Sequence, residues 1–276
     1  MKIDFKDTKI DFWLSIVGSK KFNISPYEIL TQAFEQELLL DERKNLLFKF
    51  INFLKLYNDY SKSQLYQDIF AAFVIHDEFA KTFLEFGATD GKKLSNSYML
   101  ENKLSWTGIL VEPDNQWHVS LKENRPRTRI INKCVWKNSG EKLNFFSSKQ
   151  GELSTLEKFK KSDFNSMPAN TKLRVKEGSN LIIESISLND LIKQEFDDNC
   201  PSYISVDTEG SEFEILNSMD FSRYRPVVFT VEHNYTDLQE KIDQLMYENN
   251  FIRIFKNLTR FDAWYVDKEA INKIDN

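Results

Sequence analysis

The chain has 276 residues, and its 42 acidic and 37 basic side chains leave a formal net charge of -5 at pH 7. This acidic balance excludes the electrostatic footprint of a protein that binds duplex nucleic acid, and two cysteines are too few for a disulfide framework or a four-ligand zinc site. Apolar runs far shorter than the roughly 20 residues that a bilayer requires, and an N-terminus without a signal-peptide pattern, predict a cytoplasmic protein with no membrane span.

The N-terminal part of the chain has helical periodicity. Apolar residues recur at helical spacing over residues 25–57 and predict two helices. A capping box that starts at Ser25 marks the first helix, and the acids Asp41 and Glu42 favour the start of the second. We therefore predict a helical extension over residues 1–64. It either packs against the main domain, joins two copies in a homo-oligomer, or covers an acceptor cleft.

From residue 65 onward, short β-branched and aromatic runs alternate with amphipathic segments, and residues 65–276 are predicted to form one domain. Buried strands are predicted at residues 82–86, 108–111, 129–131, 203–206 and 227–231. Helices are predicted near residues 98–104, 213–219 and 238–246, and a closing antiparallel hairpin at 251–255 and 261–266. This order predicts an α/β fold with a mostly parallel sheet, whose ligands bind at the carboxyl ends of the strands.

Residues 147–180 fit no regular pattern and are predicted to be an insertion beside the site. The insertion is rich in basic residues for an acidic protein: Lys149, Lys158, Lys160, Lys161, Lys172, Arg174 and Lys176. One interpretation is that these residues bind a phosphorylated or nucleotide-linked acceptor. The other is a solvated surface, because acidic residues dilute the charge.

The first predicted strand leads directly into a glycine turn, with Gly87 and Gly91 in the run EFGATDG. A strand, a glycine turn and a helix in this order bring the backbone close to a ligand. The turn lacks the third glycine of a dinucleotide fingerprint, so pyrophosphate binding is poorly supported. At the end of the second strand, Glu112 precedes Pro113. A carboxylate there can accept hydrogen bonds from both hydroxyls of a ribose.

A third group of acids follows the strand at 203–206. Because a carboxylate at the inner end of a strand is costly unless it binds something, Asp207 is the strongest single candidate for function. Glu212 either has such a role or stabilises the start of the next helix. The next strand ends in Glu232 and His233, and the ordinary pKa of histidine suits a general base at neutral pH.

For proton transfer we favour His233 slightly over Asp207, and we expect His76 and His118 to be surface or packing residues. A metal-assisted alternative is open, because the acids and the imidazole at these two strand ends are ligands suited to Mg²⁺ or Mn²⁺. The residues predicted as metal ligands are Asp207, Glu232 and His233, with Glu209 beside them.

The chain carries six short motifs whose order and spacing are informative in combination: Gln67-Asp68, Glu85-x-Gly87-Ala88-x-Asp90-Gly91, Leu94-Ser95-Asn96-Ser97-Tyr98, Trp106-x-Gly108-x-x-Val111-Glu112-Pro113, Ser187-Leu188-x-Asp190-Leu191 and Val206-Asp207-x-Glu209-Gly210-x-Glu212. This combination resembles the FkbM-type methyltransferases over about residues 65–267. The resemblance implies a Rossmann-like class I methyltransferase fold with S-adenosylmethionine as methyl donor. It also implies methylation of a hydroxyl oxygen on a sugar, nucleotide-sugar, glycan or related natural product.

The resemblance also implies roles for individual residues. It assigns to the methionine part of the cofactor Glu85, Gly87, Ala88, Asp90, Gly91 and Asn96. Glu112 and Pro113 fall beside the ribose, and Asp207 with Glu209 near the reacting centre and the cofactor. Gln67 and Asp68 are expected to close over the cofactor.

Two other functions stay open at this point. One is a different nucleotide-dependent transferase or an oxidoreductase on a similar sheet. The other is a catalytically silent module that binds a cofactor or a partner. Bound S-adenosylhomocysteine at the Gly87 turn would exclude the first, and methyl transfer from a labelled donor would exclude the second.

Overall fold

A computed structural model describes residues 44–76, 79–256 and 258–275. Its strands are β1 Thr82–Phe86, β2 Thr107–Val111, β3 Arg129–Ile131, β4 Cys134–Trp136, β5 Lys142–Ser148, β6 Thr155–Leu156, β7 Gly178–Ser187, β8 Tyr203–Val206, β9 Val228–Glu232, β10 Phe251–Ile254 and β11 Asp262–Asp267. Its α-helices are α1 Lys44–Tyr57, α2 Gln67–Val74, α3 Tyr98–Leu104, α4 His118–Asn124, α5 Pro168–Lys176, α6 Leu188–Glu195, α7 Glu212–Asn217, α8 Leu238–Glu248 and α9 Lys268–Asp275. None of the helices in these ranges is long and apolar enough to cross a membrane.

The central sheet has seven strands in the order β10-β11-β9-β8-β1-β2-β3. Strands β3, β2, β1, β8 and β9 pair in parallel, whereas β11 pairs antiparallel with β9 and β10. The chain thus continues from β1 to β2 on one side and returns to β8 on the other, which opens a crevice at the carboxyl end of β1. The predicted α/β fold with a mostly parallel sheet and a closing hairpin is confirmed.

Two apolar layers cover the faces of this sheet. Helices α1, α2 and α9 pack on one face, where Phe50 of α1 stacks on Phe255, and Phe70 of α2 stacks on Trp264. Helices α6, α7 and α8 cover the other face through buried residues such as Leu191. Because α1 buries its apolar face in the main core, this part of the predicted extension packs against the main domain.

The first helix predicted for the N-terminal extension lies outside the described residues. Helix α1 corresponds to the second one and begins at Lys44, so the acids proposed for its start also lie outside them. The domain boundary after residue 64 and the homo-oligomer contact stay predictions.

The insertion predicted at 147–180 belongs to a second, smaller sheet of four strands in the order β4-β7-β5-β6. Strands β5 and β7 pair antiparallel over seven residues each, from Lys142 opposite Glu184 to Ser148 opposite Gly178. The segment between β5 and β7 adds β6, α5 and two 3-10 turns, at Gly151–Leu153 and Glu157–Phe159. The sequence did not predict these strands, because β7 is largely exposed over its first half and lacks a buried apolar run.

Candidate active site

A cavity of about 280 Å³ opens at the carboxyl ends of β1, β2, β8 and β9. The predicted residues that line it are Gly87, Glu112, Pro113, Asp207, Glu209 and Glu232. Its other walls include Val135, Phe145 and Leu156 on the side of the smaller sheet. The cavity therefore places an apolar wall opposite a row of carboxyl groups, at the edge where the sheet topology predicts a ligand.

The glycine turn after β1 lies directly against the backbone of the β8 loop. Gly87 has a φ of 68°, and a side chain there would overlap the backbone oxygen of Asp207. The amide groups of Gly87 and Ala88 donate to the backbone oxygen of Val111, and the Thr89 amide donates to Glu112. These three amides are thus used by Val111 and Glu112, and the close approach of this turn to a ligand stays a prediction.

Glu112 has the geometry expected of a ribose-binding carboxylate. It is buried, lines the cavity, and accepts one backbone hydrogen bond on each oxygen, from Thr89 N and Asp114 N, each at 2.8 Å. A carboxylate oxygen accepts about two hydrogen bonds, so each retains one acceptor position. Burial raises the pKa of Glu112 to about 7.

Glu85 stabilises the loop at residues 95–97 and is not among the residues that line the cavity. Its carboxylate accepts hydrogen bonds from the Ser95 and Ser97 hydroxyls and from the Asn96 amide, the last at 2.8 Å. Arg125 is buried against the same loop and donates to Ser97 at 3.1 Å. Direct contact of Glu85 with the methionine ammonium is thus not supported, because Glu85 is not among the residues that line the cavity and three of its acceptor positions are used to fix residues 95–97.

Other residues of the first motif also have local roles. Asp90 accepts hydrogen bonds from the amides of Lys92 and Lys93, at 2.8 and 2.7 Å, and caps the turn. Ala88 is buried in the core, and Gly91 packs against Leu121 and Arg125. These three residues stabilise the turn. Their contact with the cofactor stays a prediction.

Asn96 and Gln67 lie behind the cavity, in a narrow crevice that Asp207 and Glu232 also line. Asn96 donates to the Ser205 hydroxyl at 3.0 Å, and its own buried side-chain oxygen has no partner among the described residues. Gln67 donates to Asp262 at 2.8 Å. Neither side chain is among the residues that line the main cavity, and their predicted contact with the cofactor stays a prediction.

Asp68 is fully buried at the start of α2 and accepts hydrogen bonds from the hydroxyls of Ser61 and Ser63, both at 2.7 Å. These bonds fix the segment that precedes α2. Gln67 and Asp68 therefore anchor this segment to the core, and neither is among the residues that line the main cavity. Closure of this segment over the cofactor stays a prediction.

Three carboxyl groups, those of Asp207, Glu209 and Glu232, converge with one oxygen each within 4.8 Å of one another. Asp207 and Glu232 are hydrogen-bonded to each other through their side chains. Burial is the main cause that raises the pKa of both groups well above the usual range, and the mutual proximity of these acids adds to it. A pair of this kind shares one proton, because two adjacent half-buried carboxylates cannot both ionise readily.

Glu212 stabilises the loop between β8 and α7. Its carboxylate accepts hydrogen bonds from the Thr208 amide and hydroxyl, both at 2.9 Å, and from the Gly210 amide at 3.0 Å. Of the two interpretations left open above, the structure supports the role at the helix start.

His233 is placed differently from the prediction. It is not among the residues that line the main cavity, and faces a neighbouring polar cavity of about 330 Å³. Its Nδ1 accepts a hydrogen bond from the Tyr235 amide at 3.0 Å, which leaves Nε2 as the protonated atom, 3.2 Å from the backbone oxygen of Asp262. Burial and the charge of Arg253 lower the pKa of His233 to about 4.

These contacts correct the preference for His233 as the base, because its free electron pair is already used and its basicity is low. They also correct the predicted ligand set, since the residues that converge are Asp207, Glu209 and Glu232.

The smaller sheet and its insertion form the roof of the cavity through residues that the sequence did not single out. They are Leu153, Ser154, Leu156, Met167 and Asn170. Arg174, which we had grouped with the exposed basic residues, is fully buried and paired with Asp163 and Glu209. No local signal marks this role, because Arg174 and Glu209 are 35 positions apart.

The other basic residues of the insertion are not gathered at the cavity. Lys149 pairs with Glu177 and Lys160 with Glu157. Lys158 lies over the ring of Trp136, 3.7 Å from its centroid. None of these three lysines lines the main cavity. The interpretation of the insertion as a phosphate-binding surface loses support, since none of its seven basic residues is among those that line the main cavity.

Burial raises the pKa of three carboxyl groups well above the ordinary range, to about 7 for Glu112, about 8 for Glu209 and about 7 for Asp262. In the unfolded chain they ionise near pH 4. The folded state therefore keeps protons that the unfolded state has released. The stability they contribute is present at low pH and lost as the pH rises through about 7 to 8.

We expect the Tm of the ligand-free protein, measured by scanning calorimetry, to fall between about pH 5.5 and pH 8. Glu112→Gln should make this fall smaller, because its side chain does not ionise. A Tm that is constant or rises over this window would contradict the raised pKa values.

A comparison with protein families identifies the class of protein to which this chain belongs. The family model for the methyltransferase FkbM domain matches residues 85–255. The chain therefore belongs to the FkbM methyltransferase family. No curated protein matches the chain significantly.

Two solved structures are similar. One is the methyltransferase FkbM from Methylobacillus flagellatus KT, with 16% sequence identity and a TM-score of 0.45 over 94% of this chain and 62% of that chain. The other is the precorrin-6y C5,15-methyltransferase from Geobacter metallireducens GS-15, with 9% identity and a TM-score of 0.35 over 68% of this chain and 71% of that one. The chain thus spans less than two thirds of the length of the first of these proteins.

Proposed function

We propose that this FkbM-family chain transfers a methyl group from S-adenosylmethionine to a hydroxyl oxygen of a small or sugar-like acceptor. The observation that carries the proposal is the cavity itself. It has Gly87 and Glu112 at the ends of β1 and β2, and the carboxyl pair of Asp207 and Glu232 at the ends of β8 and β9. One wall thus suits a nucleoside and the other suits proton transfer.

The residues present fit the proposed methyl donor. Glu112 has an acceptor position left on each oxygen for the two ribose hydroxyls. Val135, Phe145 and Leu156 offer an apolar wall for the adenine. Gly87 lets the β1 turn approach the backbone of Asp207 closely, and both residues line the cavity where the methionine part would lie. When bound, the sulfonium supplies an electrophilic methyl group.

Glu209 is the residue that we assign to the methionine ammonium. It lines the cavity, and its Oε2 accepts from Arg174 and, at 3.4 Å, from Asn234. Oε1 is left for a ligand, and a charged donor such as an ammonium group gives the stronger class of hydrogen bond. This role replaces the one first assigned to Glu85.

The pair of Asp207 and Glu232 is the proposed proton acceptor. A hydroxyl oxygen must lose its proton as it attacks the methyl carbon, and a carboxylate in hydrogen-bond reach can take that proton. Because burial raises the pKa of both groups above that of ordinary carboxylates, the ionised form of the pair is a stronger base. Alignment of the acceptor in the cavity supplies the remaining part of the rate enhancement.

Glu112→Ala is expected to weaken binding of S-adenosylhomocysteine about ten- to a hundred-fold, since it removes a charged acceptor for two hydrogen bonds. Isothermal titration calorimetry measures the affinity directly. Glu141→Ala is the control, because Glu141 lies in the turn before β5 and is not among the residues that line the cavity. Equal affinity of wild type and Glu112→Ala would remove the ribose assignment.

The acceptor class is tested with radiolabelled S-adenosylmethionine and a panel of nucleotide-sugars, glycans and small polyols. Label in any hydroxylated acceptor supports the proposal and excludes a silent binding module. Binding of S-adenosylhomocysteine together with no transfer to any member of a broad panel would favour that module instead.

A further inference from the structure

Arg174 is a buried cation on the roof helix α5, and its guanidinium group is surrounded by acceptors. Its Nε donates to the backbone oxygen of Leu153 at 2.7 Å, and its Nη1 donates to Asp163 at 2.8 Å. Its Nη2 donates to Glu209. The side chain is 0% exposed. A charge buried this completely is stable only when it is paired, so Arg174 and its two acids form one electrostatic unit.

The segment from β6 to α5 also fixes the backbone of Glu209. The residue has a φ of 59°, in the left-handed region that non-glycine residues adopt at a cost. The hydroxyl of Thr155, in β6, donates to the backbone oxygen of Glu209 at 2.9 Å. On the next residue, Gly210, a side chain would lie 2.6 Å from the hydroxyl of Ser162. The smaller sheet thus encloses both the backbone and the side chain of Glu209.

We infer that Arg174 is a positioning residue that acts through Glu209, holding its carboxylate against the cavity wall in the orientation that receives the ammonium group of the methyl donor. The inference rests on the proposed function, because it assigns Glu209 to that donor. It explains why an insertion that forms the roof also carries a buried arginine directed at the β8 loop. The Arg174–Glu209 pair then connects the roof of the cavity to the wall that binds the cofactor.

The planar guanidinium group is suited to this position. It presents donors in a rigid fork, so one side chain can bind Asp163 and Glu209 at once and still reach Leu153. A lysine has a single ammonium on a flexible stem and can keep only part of this arrangement. Removal of the fork frees the Glu209 side chain to leave the cavity wall.

A double-mutant cycle on the affinity for S-adenosylhomocysteine tests the inference, with Arg174→Met, Glu209→Gln and the double variant measured by calorimetric titration. Each single variant is expected to bind about tenfold more weakly than wild type. The double variant should bind within about twofold of Glu209→Gln, because Arg174 acts through a carboxylate that is already absent. Arg174→Lys should fall between wild type and Arg174→Met.

Controls separate positioning from general stability. Arg129→Met removes another arginine–glutamate pair, with Glu195, in which the arginine is 65% exposed, and should bind as wild type does. If Arg174→Met does not fold, the cycle is run with Arg174→Lys, whose loss of affinity must vanish in the Glu209→Gln background.

Three results would overturn the inference. Wild-type affinity in Arg174→Met or in Glu209→Gln, with Glu112→Ala still impaired, would remove it and leave the proposed function intact. Losses that simply add in the double variant would show that Arg174 does not act through Glu209. No binding of S-adenosylhomocysteine by wild type would remove the inference and the proposed function together.

Discussion

Asp207→Asn is expected to lose about 10² to 10⁴ in the rate of methyl transfer, which is the typical contribution of a general base. The substitution keeps the shape of the side chain but removes the carboxylate that pairs with Glu232. Affinity for S-adenosylhomocysteine should stay within a few-fold of wild type, since the ribose contact at Glu112 is untouched. Single-turnover kinetics with the acceptor identified in the panel measure the chemical step.

His233→Ala is the matched comparison, because His233 follows Glu232 directly in the chain but faces the neighbouring cavity. We expect it to lose less than about tenfold in the same assay. A larger loss in His233→Ala than in Asp207→Asn would return the base to His233.

The same assay distinguishes the two mechanisms proposed for the acidic cluster. With a carboxyl pair as base, turnover survives a chelator. If a chelator abolishes turnover and Mg²⁺ or Mn²⁺ restores it, Asp207, Glu209 and Glu232 are better assigned as ligands of a cation.

Gly87→Ala is expected to abolish detectable binding of S-adenosylhomocysteine. The added methyl group would overlap the backbone oxygen of Asp207, and the φ of 68° disfavours any side chain. Relief of this overlap moves the β1 turn away from the β8 loop, so the two cavity walls change together. Calorimetric titration gives the affinity, and circular dichroism reports whether the fold is kept.

Gly140→Ala is the control, since Gly140 has a φ of 79° but no atom within 4 Å of an added methyl group. It has the backbone strain without the overlap, and should bind S-adenosylhomocysteine as wild type does. Near-normal binding by Gly87→Ala would mean that the turn is not part of the cofactor site.

The central sheet was predictable because its signals are local. A run such as Tyr203–Val206 is apolar or small throughout and buried at every position, which is what a strand covered on both faces requires. The strand-end acids Glu112 and Asp207 follow such runs directly, so their common edge followed from the parallel topology alone.

The partners of the site residues were not predictable in the same way. The bonds of His233 to the Tyr235 amide and the Asp262 oxygen, and those of Glu85 to residues 95–97, depend on how loops return to the sheet. The pairing of Arg174 with Glu209 depends on the smaller sheet, whose half-exposed strands give only a weak sequence pattern. Residue type indicated which groups carry chemistry, but the packing decided which of them reach the cavity.

A crystal structure of the chain with S-adenosylhomocysteine would locate the cofactor site. We expect the ligand in the cavity between the Gly87 turn and the smaller sheet. Both ribose hydroxyls should lie within about 3 Å of the Glu112 carboxylate, the ammonium group should contact Glu209, and the sulfur should face Asp207 and Glu232. Density for the ligand elsewhere, for example in the polar cavity beside His233, or no bound ligand at saturating concentration, would contradict it.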